Sequence, residues 1–284
     1  MKRLKGGFFL FLLISFLLFF GVRNSMAVNI DFGMFKGIPW FQTQEGDVHA
    51  GGSIDSSVTE GEKFSLDGLG GFPGLVSYNG LSADFSPGEI SSKNWLAKSK
   101  SKGNFYSFFS ELLKPNFQGT PIDGIILNSD LPGGSGGVKA YKGNIQTGED
   151  WDIGTRKIVV LTKGKFLIKN QIKVSEGGSL LVAAQEGIGV SKNLGDSARI
   201  EGVFITDGGF YSSIEEDFNF TTAASSKSLT VKGGVIANLI SLTRDLGENN
   251  STTPAEKFVY RPDFWLNLYP DLWISYHYWE ELAP

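Results

Sequence analysis

Short apolar runs that end at glycine or at a polar turn recur through the second half of the chain. They begin 22, 20 and 29 residues apart and are rich in Val, Ile and Leu: residues 157–161, 179–183, 199–205 and 228–235. Intervals of this size suit the coils of a solenoid, in which each coil buries its apolar side against its neighbours. The longest interval contains a polar insertion, residues 214–226, which we expect to loop outwards.

The pattern therefore predicts a mainly β protein with a right-handed parallel β-helix in the C-terminal half. Closely spaced strands with turn signals between them also suit an antiparallel β-sandwich, which remains the alternative.

A different period marks one helix. Five apolar residues occupy positions i, i+3, i+4, i+7 and i+8, which lie on one helical face: Phe105, Phe108, Phe109, Leu112 and Leu113. Asn104 can cap the start of this helix and Pro115 ends it. We expect the five apolar side chains to pack onto the β portion.

The N-terminus has the layout of a secretory signal peptide. Lys2, Arg3 and Lys5 precede an apolar run over residues 8–22, and Ala27 ends a stretch of small residues that suits cleavage. A spanning helix needs about 20 apolar residues, so cleavage is favoured over an uncleaved signal anchor. We expect export to the cell surface or the extracellular space, with membrane contact only if this segment is retained.

Five regions follow from these patterns. They are a signal peptide or anchor (1–27), a glycine- and serine-rich region of short strands (28–102), a helix with a glycine-rich loop (103–144), a β-helix (145–257) and an aromatic-rich C-terminal cap (258–284).

Composition then excludes several kinds of chemistry. The chain has no cysteine, which rules out disulfides, thiol catalysis, cysteine-bound zinc and iron–sulfur clusters. Removal of residues 1–27 leaves 22 basic and 30 acidic residues, a formal charge of −8, so no nucleic-acid partner is expected. No motif indicates a cofactor.

Several motifs resemble a known group of proteins. They are residues 39–44 (PWFQTQ), 46–49 (GDVH), 244–246 (RDL), 254–263 (PAEKFVYRPD) and 279–284 (WEELAP). In this order they resemble exported β-helix surface proteins of candidate-phylum bacteria. The resemblance implies a surface-associated β-helix and no particular activity. Pectin-lyase-like proteins are similar in architecture only, by analogy.

Two clusters could carry catalytic chemistry. Glu149, Asp150 and Asp152 surround Trp151, and paired carboxylates beside an aromatic ring are typical of glycosidases. The same residues also describe a solvated turn with Trp151 covering the core, which is the favoured interpretation. Arg199, Glu201 and Asp207 could share a surface, as in β-helix lyases, although a cross-strand ion pair is the commoner arrangement.

A third cluster could bind a metal ion. Glu45, Asp47 and His49 alternate, so on a strand all three project from one face and could bind a divalent cation. A polar strand edge is the favoured alternative.

The aromatic segment 258–279 is the richest in the chain. Trp265, Trp273 and Trp279 could bind sugar rings, but we favour a cap that covers the open end of the solenoid. We expect a non-catalytic adhesion or display protein whose partner is a surface glycan or another surface protein. A carboxylate-dependent polysaccharide lyase or hydrolase is the alternative.

Overall fold

The computed structural model describes residues 41–44, 48–50, 64–67, 76–78, 97–98, 104–119, 124–194 and 198–272. The chain divides into two compact units, residues 1–34 and 35–284, and every described residue belongs to the second. The predicted signal peptide, Glu45, Asp47, Trp273 and Trp279 lie outside the described residues.

Short strands make up most of the described chain. They are β1 (Phe41–Gln44), β2 (Val48–Ala50), β3 (Phe64–Asp67), β4 (Val76–Tyr78), β5 (Ala97–Lys98), β6 (Phe117–Gln118), β7 (Ile125–Ile126), β8 (Gly136–Tyr141), β9 (Ile145–Thr147), β10 (Trp151–Gly154), β11 (Lys157–Thr162), β12 (Lys165–Ile168), β13 (Ile172–Val174), β14 (Ser179–Ala184), β15 (Gly187–Ser191), β16 (Ala198–Ile214), β17 (Leu229–Ser241) and β18 (Glu256–Tyr260). The α-helices are α1 (Phe105–Leu113) and α2 (Pro262–Leu266), and three 3-10 helices span Asn128–Asp130, Gly247–Ser251 and Pro270–Leu272.

The main sheet is parallel and curled. Its longest path runs through nine strands in the order β3-β1-β18-β17-β16-β14-β11-β8-β6 and curves into a half-barrel, while β7, β9, β10, β12, β13 and β15 pair beside this path. A second sheet contains β2, β4 and β5. The prediction of a mainly β fold is confirmed. The antiparallel sandwich is wrong, because every pair of named strands in the described part is parallel.

The recurrent apolar runs are neighbours in this sheet. Lys157 in β11 lies opposite Ser179 in β14, and Leu181 lies opposite Val203 in β16, so both of these steps along the sheet are 22 residues long. The step from β16 to β17 is longer, because the polar insertion lies between these strands. Regular spacing in the sequence therefore becomes regular parallel pairing.

The polar insertion packs against the sheet instead of looping outwards. Phe220 is buried and contacts a small cluster that includes the fully buried Leu167 of β12. Lys165 donates a hydrogen bond from Nζ to the carbonyl of Phe218 (2.7 Å), and its ammonium lies 5.1 Å from the centroid of the Phe220 ring. The insertion thereby shields the apolar side chain of Leu167 from water.

The helix α1 packs against the main sheet. It contacts β14 and β16, and Phe105, Phe109 and Leu113 pack against the core. The buried face is rotated from the predicted one, because Tyr106 is buried whereas Phe108 is 57% exposed. Asn104 makes no side-chain capping bond, and Asp207 Oδ1 instead accepts the backbone N–H of Tyr106 (2.9 Å).

The structure describes the C-terminal aromatic segment only as far as residue 272, so the cap over residues 258–284 stays a prediction. Strand β18 pairs with β17 on one side and with β1 on the other, so residues 256–260 are an internal strand. Helix α2 then packs against β14, and the 3-10 helix Pro270–Leu272 contacts α1. Residues 256–260 are therefore part of the sheet, and the described residues after them pack against β14 and α1.

Candidate functional site

Each carboxylate of the proposed catalytic cluster accepts a hydrogen bond from a backbone N–H. Glu149 Oε1 accepts from Asn128 (2.8 Å) and Asp150 Oδ1 accepts from Gln171 (2.9 Å). Asp152 Oδ1 accepts from Gly154 (3.1 Å). All three acids thus satisfy backbone donors of turns and strand ends, which is a common structural use of such side chains.

The aromatic ring of this cluster faces the interior. Trp151 is almost completely buried, its Nε1 donates a hydrogen bond to the carbonyl of Ile126 (3.2 Å), and its ring centroid lies 5.7 Å from that of Phe166. A ring in this position stabilises the core. It does not lie on the surface where a sugar could stack on it.

The second proposed cluster is divided by the fold. Glu201 is fully buried, its Oε2 accepts the backbone N–H of Val174 (2.7 Å) and its Oε1 forms an ion pair with Arg199 Nε (2.5 Å). This pair lies within one strand, not across two strands. Asp207 binds the start of α1 instead. The cluster therefore joins Arg199 to Glu201 and leaves Asp207 in a separate structural role.

The proposed metal ligands are described only in part. His49 lies in β2, opposite Ser77 of β4 in the register of the second sheet. Within the described ranges, no group of three or more His, Cys, Asp or Glu side chains is arranged to bind a metal ion.

The most extensive polar cluster in the described part of the chain is one that sequence reasoning missed. Arg244 is fully buried, and its guanidinium donates to the carbonyls of Ser212 (2.9 Å), Lys227 (2.8 Å) and Ser191 (3.1 Å) and to the hydroxyl of Ser225 (3.4 Å). One side chain thus connects the ends of β15 and β16 to the polar insertion. The planar, multiple-donor shape of arginine makes this possible.

The anionic member of this cluster is Glu256, which begins β18. Its Oε1 accepts the hydroxyl of Ser212 (2.7 Å) and the backbone N–H of Arg244 (3.0 Å). Burial raises the pKa of Glu256, although these hydrogen bonds and the charge of Arg244 act in the opposite direction. Burial also lowers the pKa of Arg244 to about 10, with Glu256 opposing the change, so the guanidinium is charged at neutral pH.

A second arrangement fixes the chain after β18. Arg261 donates to both carboxylate oxygens of Asp263 (2.7 and 2.6 Å), and its guanidinium lies 4.3 Å from the centroid of the Phe264 ring. The ion pair raises the pKa of Arg261 and lowers that of Asp263. Phe264 is fully buried beside Gly233, which has a φ of +132° and leaves no room for a Cβ atom.

Both arrangements fall within motifs on which the expected resemblance was based. Arg244 belongs to residues 244–246, and Glu256, Arg261 and Asp263 belong to residues 254–263. These motifs therefore contribute buried hydrogen bonds and packing in this structure. No local sequence signal indicated that Arg244 and Glu256 lie close together, because tertiary packing alone brings them into contact.

The proposed sugar-binding tryptophans are represented here by Trp265. Its side chain is half-buried and packs against the core, whereas the adjacent Leu266 is 68% exposed. The surface at this point therefore contains the half-buried Trp265 ring beside the exposed Leu266 side chain. Tyr260, also in the described part of the aromatic segment, is 39% exposed, so a partner could contact either position.

Comparisons with known proteins add no relative. No family model, curated protein or solved structure matches the chain. None of the helices in the described residues has the length and apolar character required to span a bilayer.

Proposed function

We propose that the chain is an exported, cell-surface structural protein for adhesion or display, built on a right-handed parallel β-helix and without catalytic activity. The β-helix serves as a stiff spacer. Its outer surface contacts a surface glycan or another surface protein.

Support for the β-helix comes from two ladders of buried residues. Ile145, Phe166, Ile188 and Phe210 are neighbours across successive parallel strands, and all four are fully buried. Trp151, Ile172, Ile200 and Val231 form a second ladder in the same way. Parallel strands in which each coil contributes one residue to each ladder are expected of a solenoid.

The observation that carries the functional proposal is the use of the acidic residues. Glu149, Asp150 and Asp152 each accept a backbone N–H, and the tryptophan between them faces the core. A carboxylate-dependent hydrolase needs two acids on either side of a glycosidic bond, and a sugar platform needs an accessible ring. Acids that hold turns together favour a scaffold over the alternative enzyme.

Stiffness is supported by the buried Arg244 and by the partly exposed ion pair of Arg261 with Asp263. Arg244 connects three segments of the chain through its guanidinium, and the two oxygens of Asp263 hold Arg261 over Phe264. Fully hydrogen-bonded buried networks rigidify a structure because an alternative arrangement leaves polar groups unsatisfied. A spacer that presents a binding surface benefits from this property.

A paired binding and turnover experiment tests the proposal. The purified protein is applied to a glycan array, and polyanionic polysaccharides are assayed for new reducing ends. We expect the protein to bind a glycan of the array, with binding reduced by Trp265→Ala, and no turnover. Turnover that is lost in the Asp150→Asn, Asp152→Asn double variant would establish the enzyme instead.

A further inference from the structure

A groove lies on the strand face opposite to the buried ladder that contains Phe166 and Phe210. Successive residues of a strand point to opposite faces, so Leu167 of β12 and Tyr211 of β16 both lie on this second face. The residue between them in the register is Gly189 of β15, which has no side chain. The row therefore has an apolar side chain on one side, an aromatic ring on the other and a gap in the middle.

The ring of Phe220 fills this gap. A Cβ atom at Gly189 would lie 3.1 Å from Cε1 of the ring, and a Cβ atom at Gly187 would lie 3.1 Å from Cε2. The ring centroid is 5.6 Å from that of Tyr211, and Phe220 belongs to one apolar cluster with the fully buried Leu167. The two glycines thus make room for a flat ring between two apolar walls.

Lys165 contacts both this ring and the backbone that carries it. Its ammonium lies 5.1 Å from the centroid of Phe220 and donates a hydrogen bond to the carbonyl of Phe218 (2.7 Å). Any peptide with an aromatic residue offers the same two groups, a ring face for a cation and a carbonyl two residues earlier for a donor. The groove therefore has the chemistry of a site for an aromatic peptide segment.

The segment that supplies the ring is a short strap, defined as residues 215–221, which is fixed to the sheet at its base. There the N–H of Ala223 donates to the carbonyl of Ser213 (3.2 Å). The tip is less favourable, because Phe220 has a φ of +58°, a left-handed conformation that bulky residues rarely adopt. Displacement of the tip relieves this strain while the base stays in place.

Partly exposed ion pairs hold the strap closed. Glu215 pairs with Lys192 (2.7 Å) and Glu216 with Lys169 (2.9 Å), and the four side chains are between 30% and 44% exposed. The hydroxyl of Ser191 also donates to Glu216 (2.9 Å). Ion pairs at this exposure are weakened by salt and contribute modestly to stability. Loss of both acidic charges should therefore loosen the strap without changing the groove itself.

We propose that this groove binds an aromatic side chain in a segment of a partner protein, and that the strap occludes the groove until its tip is displaced. The incoming ring replaces Phe220, and the carbonyl before it accepts the hydrogen bond of Lys165. Seven residues fixed at both ends let the tip move by at most about 12 Å, which favours a foreign segment over exchange of straps between two copies. The site goes beyond the adhesion function proposed above, which does not use it.

A peptide supplied in trans tests the groove. The probe has the sequence of residues 213–224, SIEEDFNFTTAA, and the control peptide has alanine in place of Phe220. Both are titrated by fluorescence anisotropy against the full chain and against its Phe220→Ala variant, in which the ring no longer fills the groove. We expect the variant to bind the probe at least tenfold more tightly than the unmodified protein does, and at least tenfold more tightly than it binds the control peptide. Equal affinity for the two peptides, or no binding to a folded variant, would overturn the proposal.

Limited proteolysis tests displacement of the strap and leaves Phe220 in place. We expect chymotrypsin to cleave within the strap at least tenfold faster in the Glu215→Gln, Glu216→Gln double variant than in the unmodified protein, as measured by mass spectrometry. The matched control is Glu111→Gln, Glu176→Gln, which removes two exposed acids elsewhere and should leave the rate unchanged. Equal rates in the two double variants would show that the ion pairs do not hold the strap.

Sedimentation velocity distinguishes a partner protein from a second copy. The double variant with the loosened strap should remain monomeric. A dimer that disappears when Phe220→Ala is added would overturn the proposal, because the occupant would then be the strap of a second copy. These measurements involve neither a glycan nor a cell surface, so their failure is distinguishable from failure of the adhesion proposal.

Discussion

Arg244 donates its backbone N–H to the buried carboxylate of Glu256 (3.0 Å), and Ser212 links the two residues through both its hydroxyl and its carbonyl. The contact joins the segment after β17 to the start of β18. The Arg244 guanidinium and the Glu256 carboxylate are both removed from water. Each is therefore stable in the interior only while its hydrogen bonds within this cluster are formed.

Removal of the Glu256 carboxylate should therefore be costly. Glu256→Ala leaves the Ser212 hydroxyl without its acceptor and Arg244 as a buried cation without its neighbouring anion. We expect the free energy of unfolding to fall by about 3–5 kcal/mol, measured by urea denaturation. Glu256→Gln also removes the charge but retains an acceptor oxygen for the Ser212 hydroxyl and the Arg244 N–H, so it should lose less than Glu256→Ala. Equal losses in the two variants would show that the hydrogen bonds are unimportant.

The raised pKa of Glu256 predicts a pH dependence with a defined sign. A carboxyl whose pKa is raised by folding binds its proton more tightly in the folded state, so it contributes stability at low pH that is lost as the pH rises. Relative to Glu256→Gln, the unmodified protein should become more stable as the pH falls from neutral towards 4.5, the ordinary carboxyl value. A relative stability that is constant or falls over this range contradicts the assignment.

The rotated face of α1 provides a matched pair of substitutions. Phe109 packs against the core, whereas the adjacent Phe108 is exposed. Phe109→Asp places an unpaired charge in the contact with the sheet and should reduce the free energy of unfolding by about 3 kcal/mol or more. Phe108→Asp should change it by less than about 0.5 kcal/mol. Thermal unfolding that ranks the two variants in the reverse order would refute the helix orientation.

Gly233 and Gly234 form a second matched pair. A Cβ atom at Gly233 would lie 2.0 Å from the carbonyl oxygen of Gly202, at a φ of +132°, whereas a Cβ atom at Gly234 meets nothing within 4 Å. We expect Gly233→Ala to destabilise the fold by about 2 kcal/mol or more, and Gly234→Ala to have a small effect. Comparable midpoints of denaturation for the two variants would argue against the close approach of β16 and β17 at Gly202 and Gly233.

Trp265 separates structural from binding roles. Because its half-buried ring packs on the core, Trp265→Ala should cost about 2 kcal/mol as well as weaken partner retention. Leu266→Ala, at the exposed neighbour, should leave the melting temperature unchanged and affect retention alone. If both variants bind the partner as well as the unmodified protein does, the contact surface lies elsewhere.

Much of the sheet could be predicted because its signal is local. The runs that became β11 and β14 are short, apolar and evenly spaced, and their parallel register follows from that spacing. The helix was detectable from its period, but the burial of Tyr106 depends on Asp207, which lies 101 residues away. Sequence spacing does not report which side of a helix a distant strand will meet.

The buried polar cluster and the pairing of β1 with β18 could not be predicted from local sequence patterns. Arg244 and Glu256 have the composition of surface residues, and only tertiary packing places them inside. Phe41 in β1 lies opposite Glu256 in β18, more than 200 residues away in the chain. The sequence of neither strand indicates which strand it pairs with. The second neighbour of β18 could not be anticipated, and the terminal cap, much of which lies outside the described residues, stays a prediction.

The central claim is that the protein works at the cell surface as a non-catalytic scaffold. Labelling of intact, unpermeabilised cells with an antibody against the folded chain tests it most directly. We predict strong labelling before permeabilisation, with little increase afterwards. Labelling that appears only after the cells are permeabilised would contradict the account.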